Sequence, residues 1–373
     1  MRSKAVITKL LIETALSGSA SKPILWMRSV DMNADNNNSA SITRKVQILG
    51  SAHALPQRCV LSSELDQQLG LSAGRIELVG GVHQRYFAGA NENAATLAAA
   101  AGRKALLAAN LTLDDIDCLV ATSATMDQGM PSNGALIHKE LGLSARGIPA
   151  FDINASCLGF LAALDTLTYM LAAGHHKRIL VVAADLASCG LNWDDLESSA
   201  IFGDGAAAVV LGQSGSEDES VLLATSFKTF SEGVHFCEIP GGGSRYHPSR
   251  IEQAFNPLTK FHMDGKKVFR LASEHMPKFV DDLLLSADMS LAEVDWIVPH
   301  QASQLAIHHL IKRLNFNCDK VINIFKNHGN QVAASLPTAL DIAIADARIQ
   351  RGDTLLLLGT GAGLSMGAAL MVY

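Results

Sequence analysis

Residues 151–174 have the sequence FDINASCLGFLAALDTLTYMLAAG. A short apolar run typical of a strand end is followed by a sharp turn at NAS. From Cys157 onward Asp165 is the only charged residue before Gly174, and a helix that is apolar nearly all round must be buried. The pattern predicts a buried helix with Cys157 in its first turn, where free N–H groups and the helix dipole favour a thiolate. Cys157 is a candidate nucleophile, and a small apolar core residue is the alternative.

Composition and charge limit the classes of protein to which the chain can belong. Of its 373 residues, 48% are hydrophobic, which is usual for a protein with a large core. The formal net charge of -6 argues against a nucleic-acid-binding surface, which would need a basic excess. The six cysteines form no cluster at metal-ligand spacing. We therefore expect free thiols in a reducing, cytoplasmic compartment and no metal site.

Both ends of the sequence could be mistaken for membrane or targeting segments. The stretch MNADNNNSAS is polar and of low complexity, so residues 1–44 are predicted to be a disordered extension. Lys9 and Glu13 interrupt the apolar run near the start, and no signal peptide is expected. The last twenty residues are uncharged and long enough to span a bilayer. Their glycines favour two buried strands joined by a loop, so membrane insertion is not expected.

An internal repeat is visible in the folded part of the sequence. The segment 111–125, LTLDDIDCLVATSAT, is similar to 289–303, MSLAEVDWIVPHQAS, at an offset of 178 residues. The same offset pairs Cys157 with Ser335, and an Ala-Leu-Asp helix follows each of them. The strands that come next, RILVVAA and DTLLLLG, also match, and GDGAAAVVLG corresponds to SMGAALMVY. Four segments in the same order indicate two copies of one unit.

This repeat predicts the architecture. Strands alternate with helices of ten to twenty residues, which is typical of an α/β fold with buried sheets. We expect two halves, residues 45–215 and residues 216–373. A pseudo-twofold axis would bring their two apolar helices together at the centre of the molecule.

Two polar residues of the second half follow strand-like segments. His300 lies in WIVPHQAS, after an apolar strand and a proline, and Asn330 lies in KNHGNQVAAS, in a turn before a helix. In α/β folds, strand ends and helix starts converge on one crevice. Each residue could also be an ordinary surface or capping residue. Their position in the half opposite Cys157 favours a shared site.

Five motifs, taken together, resemble the beta-ketoacyl-acyl carrier protein synthase III family of the thiolase superfamily. They are NASCLGF, FGDGAAAVVLG, VPHQAS, NHGNQVAAS and GTGAGLSMGAAL, and the similarity covers residues 46–373. The resemblance implies the five-layered αβαβα thiolase fold, built from two duplicated halves, and a homodimer. By the matched motifs, Cys157, His300 and Asn330 would be the catalytic residues.

The implied reaction is a decarboxylative Claisen condensation in fatty acid or related lipid or polyketide biosynthesis. Cys157 would take the acyl group from an acyl-coenzyme A or acyl-carrier thioester. Decarboxylation of a malonyl-carrier thioester would give an enolate, whose oxygen needs neutral donors such as His300 and Asn330. The N–H groups of Cys157 and of the loop Gly361-Ala362-Gly363 would bind the second oxyanion. No metal or organic cofactor is implied.

Several positions depart from the family pattern. Ala362 occupies the middle of a loop that is usually all glycine, where a positive φ would be costly. Arg85 is kept in the coenzyme A-binding segment, but Arg75 and Val79 stand where a Trp and an Arg are usual. Met130 matches a bulky residue that closes the acyl pocket of the neighbouring subunit. Because methionine is deformable, we expect a primer of medium or longer chain length.

An acyl carrier protein is the expected protein partner. Carrier proteins are acidic, so docking should be electrostatic, although one arginine of the family is Leu305 here. An ordinary solvated helix face is the alternative. The basic residues that match or neighbour the family's docking positions are Lys266, Lys267, Arg270, Lys312 and Arg313.

Other functions stay open at this point. An acyltransferase that forms an ester or amide bond can use the same fold and the same three residues. A thiolase needs a second cysteine near the glycine loop, and none follows Cys318. No motif matches the catalytic glutamate of a hydroxymethylglutaryl synthase. A Cys-His-Asn hydrolase and a non-catalytic carrier-binding partner are the remaining classes.

Overall fold

The computed structural model describes residues 43–252 and 254–373. The predicted extension over residues 1–44 therefore falls outside the described residues, apart from its last two positions. Arg44 is only 2% exposed and exchanges two backbone hydrogen bonds of 2.9 Å with Leu222. Arg44 thus belongs to the folded part, and the predicted boundary after residue 44 is wrong at this position.

Strands and helices alternate through the described residues. The strands are β1 (Val46–Ala54), β2 (Arg58–Leu61), β3 (Gln84–Phe87), β4 (Cys118–Ala121), β5 (Ala150–Asp152), β6 (Arg178–Asp185), β7 (Gly205–Gln213), β8 (Val221–Thr229), β9 (Cys237–Glu238), β10 (His262–Met263), β11 (Trp296–Pro299), β12 (Thr354–Gly361) and β13 (Ser365–Val372). The helices are α1 (Ser62–Gln68), α2 (Arg75–Gly80), α3 (Ala94–Ala108), α4 (Asn133–Glu140), α5 (Gly159–Ala172), α6 (Leu196–Ser199), α7 (Gly265–Ser286), α8 (Gln304–Leu314), α9 (Phe325–His328) and α10 (Ser335–Ala345).

Two large sheets share the same topology over four strands. The first has the order β1-β7-β6-β4-β5, and the second has the order β8-β13-β12-β11. In both, the first two pairings are antiparallel and the next is parallel. The strands β8, β13, β12 and β11 are therefore the counterparts of β1, β7, β6 and β4.

The two sheets and their helices form five layers. Successive residues of a strand point to opposite faces. In β6, Ile179 and Val181 face the centre of the molecule, whereas Leu180 and Val182 face α3 and α4. The central cluster contains α5, α10 and the inner faces of both sheets, and α7 and α8 cover the outer face of the second sheet. The predicted αβαβα architecture is confirmed.

The repeat is visible in individual hydrogen bonds. The Asp117 carboxylate, just before β4, accepts the backbone N–H of Lys177 at 2.7 Å. Asp295, 178 residues later and just before β11, accepts the backbone N–H of Thr354 at 2.9 Å. A short 3-10 turn with a capping box precedes each of these aspartates. The two halves are thus stabilised by equivalent contacts.

The C-terminal twenty residues form a buried antiparallel hairpin. Its strands, β12 and β13, pair along their whole length, from Thr354 opposite Val372 to Gly361 opposite Ser365. The prediction of two strands joined by a glycine loop is confirmed. Within the described part of the chain, no helix has the length and apolar character that a membrane crossing requires.

Candidate active site

Cys157 lies in a tight turn between β5 and α5. Ser156, the residue before it, has a positive φ of 53°. The N–H groups of Leu158 and Gly159 donate to the carbonyls of Ala155 and Ser156 at 3.1 and 3.0 Å. The first helical residue is Gly159, so the prediction of Cys157 within the first turn is wrong by two residues.

The surroundings of Cys157 favour the thiol over the thiolate. Burial, followed by the negative charge of Asp185 and by Cys237, raises the pKa of Cys157 to about 12. The backbone N–H groups of Ala362 and of Cys157 itself act in the opposite direction. Desolvation outweighs the helix terminus here, because the cysteine precedes the helix and lies among apolar side chains. These surroundings therefore do not favour the helix-stabilised thiolate that the sequence predicts.

His300 follows β11 and lies against the end of β12. Its N–H donates to the carbonyl of Leu358 at 2.8 Å. A methyl group built on Gly359 would lie 2.6 Å from the His300 Cβ and 3.3 Å from Leu158 Cδ2. The His300 side chain and the turn that contains Cys157 thus both adjoin Gly359 of β12. Among the described residues, the buried His300 Nδ1 has no hydrogen-bond partner.

The imidazole of His300 is neutral under ordinary conditions. The residue is 5% exposed, and burial lowers the pKa of His300 to about 4. A neutral imidazole can donate a hydrogen bond without transferring a full proton to a neighbouring carbon. This property matches the requirement for a donor to an enolate oxygen.

Asn330 is oriented by three hydrogen bonds. Its Oδ1 accepts the N–H of Val332 at 2.8 Å and the hydroxyl of Ser335 at 3.4 Å. Its Nδ2 donates to the carbonyl of Ala302 at 3.3 Å, and the N–H of Ala302 donates to the carbonyl of His300 at 2.9 Å. One amide hydrogen of Asn330 remains available to a ligand, and the residue is 5% exposed.

The glycine loop after β12 keeps its backbone donor. The N–H of Ala362 is directed at the sulfur of Cys157. Positive φ values occur at Gly363, 82°, and at Leu364, 45°, but not at Ala362. The alanine therefore fits the loop without the strain that the sequence suggested. Gly361 is the close-approach position, since a methyl group there would lie 3.1 Å from Leu158 Cγ.

Arg85 does not lie where a ligand could reach it, and the prediction that it binds coenzyme A is wrong. Its side chain is fully buried and donates to the carbonyls of Ala200 and Phe202 and to the hydroxyl of Ser62. Desolvation lowers the pKa of Arg85 to about 10. Its role in this chain is to hold α6 against β3.

The other predicted binding residues lie on the surface. Met130 is 84% exposed, in the segment between β4 and α4. The five predicted docking residues are all exposed, on the first two turns of α7 and the last turn of α8. Among the residues that the structure describes, no cluster of His, Cys, Asp or Glu could hold a metal ion.

One residue beside the site was missed in the sequence. Asp185 is a fully buried carboxylate at the end of β6, close enough to Cys157 to affect its titration. The sequence does contain a feature that indicates this residue. A charged residue directly follows the apolar strand RILVVAA, at the sheet edge where strand ends converge.

Comparisons with known proteins agree with this geometry. The family described as 3-oxoacyl-[acyl-carrier-protein (ACP)] synthase III matches residues 151–231, and its C-terminal counterpart matches residues 284–373. The chain is 35% identical to beta-ketoacyl-[acyl-carrier-protein] synthase III of Neisseria gonorrhoeae over 334 residues, which is 88% of this chain and 99% of that protein.

Solved structures support the same assignment. The crystal structure of 3-oxoacyl-[acyl-carrier-protein] synthase III from Aquifex aeolicus has a TM-score of 0.78 and 30% identity, covering 88% of this chain and all 100% of that one. A variant of OleA from Xanthomonas campestris has a TM-score of 0.77 and 25% identity, covering 88% of this chain and 99% of that one. This chain belongs to the beta-ketoacyl-[acyl-carrier-protein] synthase III family of the thiolase superfamily.

Proposed function

We propose that the chain is a condensing enzyme of fatty acid biosynthesis that joins an acyl thioester primer to a malonyl thioester. The main support has two parts: the turn with Cys157 and the neutral His300 adjoin Gly359 of β12, and the amide of Asn330 donates to the carbonyl of Ala302, two residues after His300. Family membership supports the same activity.

In the first half-reaction, Cys157 is the proposed nucleophile. Its sulfur forms a bond to the thioester carbonyl carbon, and the C–S bond of the primer thioester breaks. The leaving thiolate takes up the proton that the Cys157 thiol loses. Since the free thiol has a pKa of about 12, this proton leaves during the attack rather than beforehand. The N–H groups of Cys157 and of the loop Gly361-Ala362-Gly363 stabilise the tetrahedral oxyanion.

In the second half-reaction, His300 and Asn330 are the proposed donors to the malonyl thioester oxygen. Loss of CO₂ leaves an enolate, whose oxygen accepts one hydrogen bond from each. The enolate carbon then attacks the acyl carbon, and the bond to the Cys157 sulfur breaks. The returning thiolate is protonated by solvent. No step in this scheme needs a metal ion or an organic cofactor.

The same proposal assigns substrates and partners. We propose acyl-coenzyme A or an acyl-carrier thioester as primer, malonyl-carrier thioester as extender, and the basic residues of α7 and α8 as the carrier surface. In a homodimer, the exposed Met130 would close the acyl pocket of the other subunit, which favours primers longer than acetyl. We place the enzyme in the cytoplasm because its cysteines are unpaired.

The test is intact-mass analysis of the protein with a panel of acyl-coenzyme A and acyl-carrier thioesters, from acetyl to dodecanoyl. We expect one acyl adduct on the wild type, none on Cys157→Ala, and a ketoacyl product after addition of malonyl-carrier thioester. An adduct that persists on Cys157→Ala would refute the nucleophile. Acylation without any extension would favour a simple acyltransferase, and release of free acid would favour a hydrolase.

A further inference from the structure

Asp185 is a buried carboxylate that the mechanism above does not use. It lies at the end of β6, is 0% exposed and accepts four hydrogen bonds. Its Oδ1 accepts the N–H of Ala124 at 2.8 Å, and the N–H and hydroxyl of Thr125 at 2.7 and 2.8 Å. Its Oδ2 accepts the N–H of Ala333 at 2.9 Å. Four donors facing one carboxyl group fit its ionised, acceptor-only form.

These contacts join the two halves of the chain beside the site. Ala124 and Thr125 follow β4 of the first half, whereas Ala333 belongs to the short turn between Asn330 and α10. The N–H of Val332, in the same turn, donates to Asn330 Oδ1 and so fixes which way the amide points. Asp185 therefore anchors the turn that orients Asn330.

The charge of Asp185 also acts on Cys157. It is the largest contribution after burial to the raised pKa of the thiol. Burial raises the pKa of Asp185 itself to about 6, so the group is ionised at neutral pH. The ionised carboxylate can therefore accept all four hydrogen bonds at neutral pH.

We propose that Asp185 is a positioning residue: by anchoring the turn Val332–Ala334, it holds Asn330 in place for decarboxylation. This inference rests on the proposed function.

The test compares Asp185→Asn with Asp204→Asn. Asparagine keeps one acceptor oxygen but removes the charge and turns an NH₂ group toward donors that had faced a carboxylate. Asp204 is a matched control, because it is also 0% exposed, accepts backbone N–H groups of Ala88 and Ser188, and has its pKa raised by burial. Its charge acts on Cys189 instead.

Both variants are expected to fold. A carboxyl group whose pKa is raised in the folded state favours folding when protonated, and that contribution is lost as the pH rises, for Asp185 between about 4 and about 6. At neutral pH the uncharged amide relieves the cost of burying a charge, which offsets part of the loss of accepted hydrogen bonds. Circular dichroism and thermal unfolding of both variants check this point.

The readout measures the two half-reactions, acyl transfer to Cys157 and malonyl decarboxylation, separately. In Asp185→Asn we expect acyl transfer to Cys157 at close to the wild-type rate and a loss of malonyl decarboxylation of about tenfold or more, because Asn330 is misaligned. Asp204→Asn should match wild type in both half-reactions. Equal losses in both half-reactions of Asp185→Asn would contradict the positioning of Asn330. If the wild type is never acylated, the proposed function fails; if the wild type and Asp185→Asn are acylated and decarboxylate equally well, only the positioning role fails.

Discussion

Gly359 shows how a single backbone position brings the site together. It lies on β12. A side chain at this position would contact both the His300 Cβ and Leu158, which is the neighbour of Cys157. Its φ is not in the left-handed region, so glycine is needed for space and not for backbone conformation. The absence of a side chain at this position lets the imidazole and the cysteine turn approach the same strand.

The first prediction concerns Gly359→Ala. The added methyl would lie 2.6 Å from the His300 Cβ, which forces the histidine or β12 to move. A displacement of this size at a catalytic group typically costs about 100-fold in rate, so condensation should fall by roughly that factor. Steady-state turnover with malonyl-carrier thioester measures it. The control is Gly215→Ala, whose methyl would meet nothing within 4 Å; equal activity in the two variants would contradict the account.

At the scale of single elements, the charge inside the central helix α5 has a structural explanation. Asp165 accepts hydrogen bonds from Arg44 at 2.7 Å and from the Thr225 hydroxyl at 2.6 Å. Arg44 also lies 4.1 Å from the centre of the Tyr169 ring. Arg44, two residues before β1, is thereby tied to α5 and to β8, across the boundary between the two halves.

The second prediction is a stability difference between two ion pairs. Arg44→Ala leaves the partly buried Asp165 without its cation, and breaking such a pair costs about 3 kcal/mol. The exposed pair of Arg58 with Glu64 should contribute less than about 1 kcal/mol, so Arg58→Ala is the matched control. Urea unfolding measures both. A loss in Arg44→Ala no larger than in Arg58→Ala would show that this pair does not stabilise the central layers.

Much of the element arrangement could be predicted from the sequence. The 178-residue repeat gave two equivalent sheets, and the uncharged helices indicated the central layer. Burial of individual charged groups could not be predicted, because it depends on segments far apart in the sequence. Arg85 is enclosed by residues 115 and 117 positions later, and the pKa of Cys157 depends on Asp185 from another strand.

At the scale of the whole molecule, α7 and α8 present the predicted docking residues on one outer layer. The two helices are joined by hydrogen bonds from the His309 ring to the Ser273 hydroxyl, 2.8 Å, and from Arg313 to the Ser273 carbonyl, 3.5 Å. Two large apolar side chains, Phe269 and Leu305, are also exposed on these helices. A surface that combines basic side chains with exposed apolar ones would suit a partner whose own surface is acidic and includes apolar side chains.

The third prediction reverses charges on this surface. Lys266→Glu combined with Lys312→Glu should raise KM for carrier-bound substrate about tenfold at low salt and leave KM for a coenzyme A primer unchanged. The increase should shrink as salt is added, because exposed charges are screened. Lys139→Glu is the control, since α4 covers the opposite outer layer. The docking surface would be contradicted if the control and the double variant raised KM equally.

We propose that Cys157 carries out acyl transfer and that His300 and Asn330 support decarboxylation, all within one site. The most direct measurement follows both half-reactions in His300→Ala and Asn330→Ala: acyl transfer to Cys157 by intact mass, and decarboxylation of malonyl-carrier thioester by release of labelled CO₂. The account predicts that both variants are still acylated and that decarboxylation falls by about 100-fold or more. Normal decarboxylation in both variants, or loss of acylation with decarboxylation intact, would contradict it.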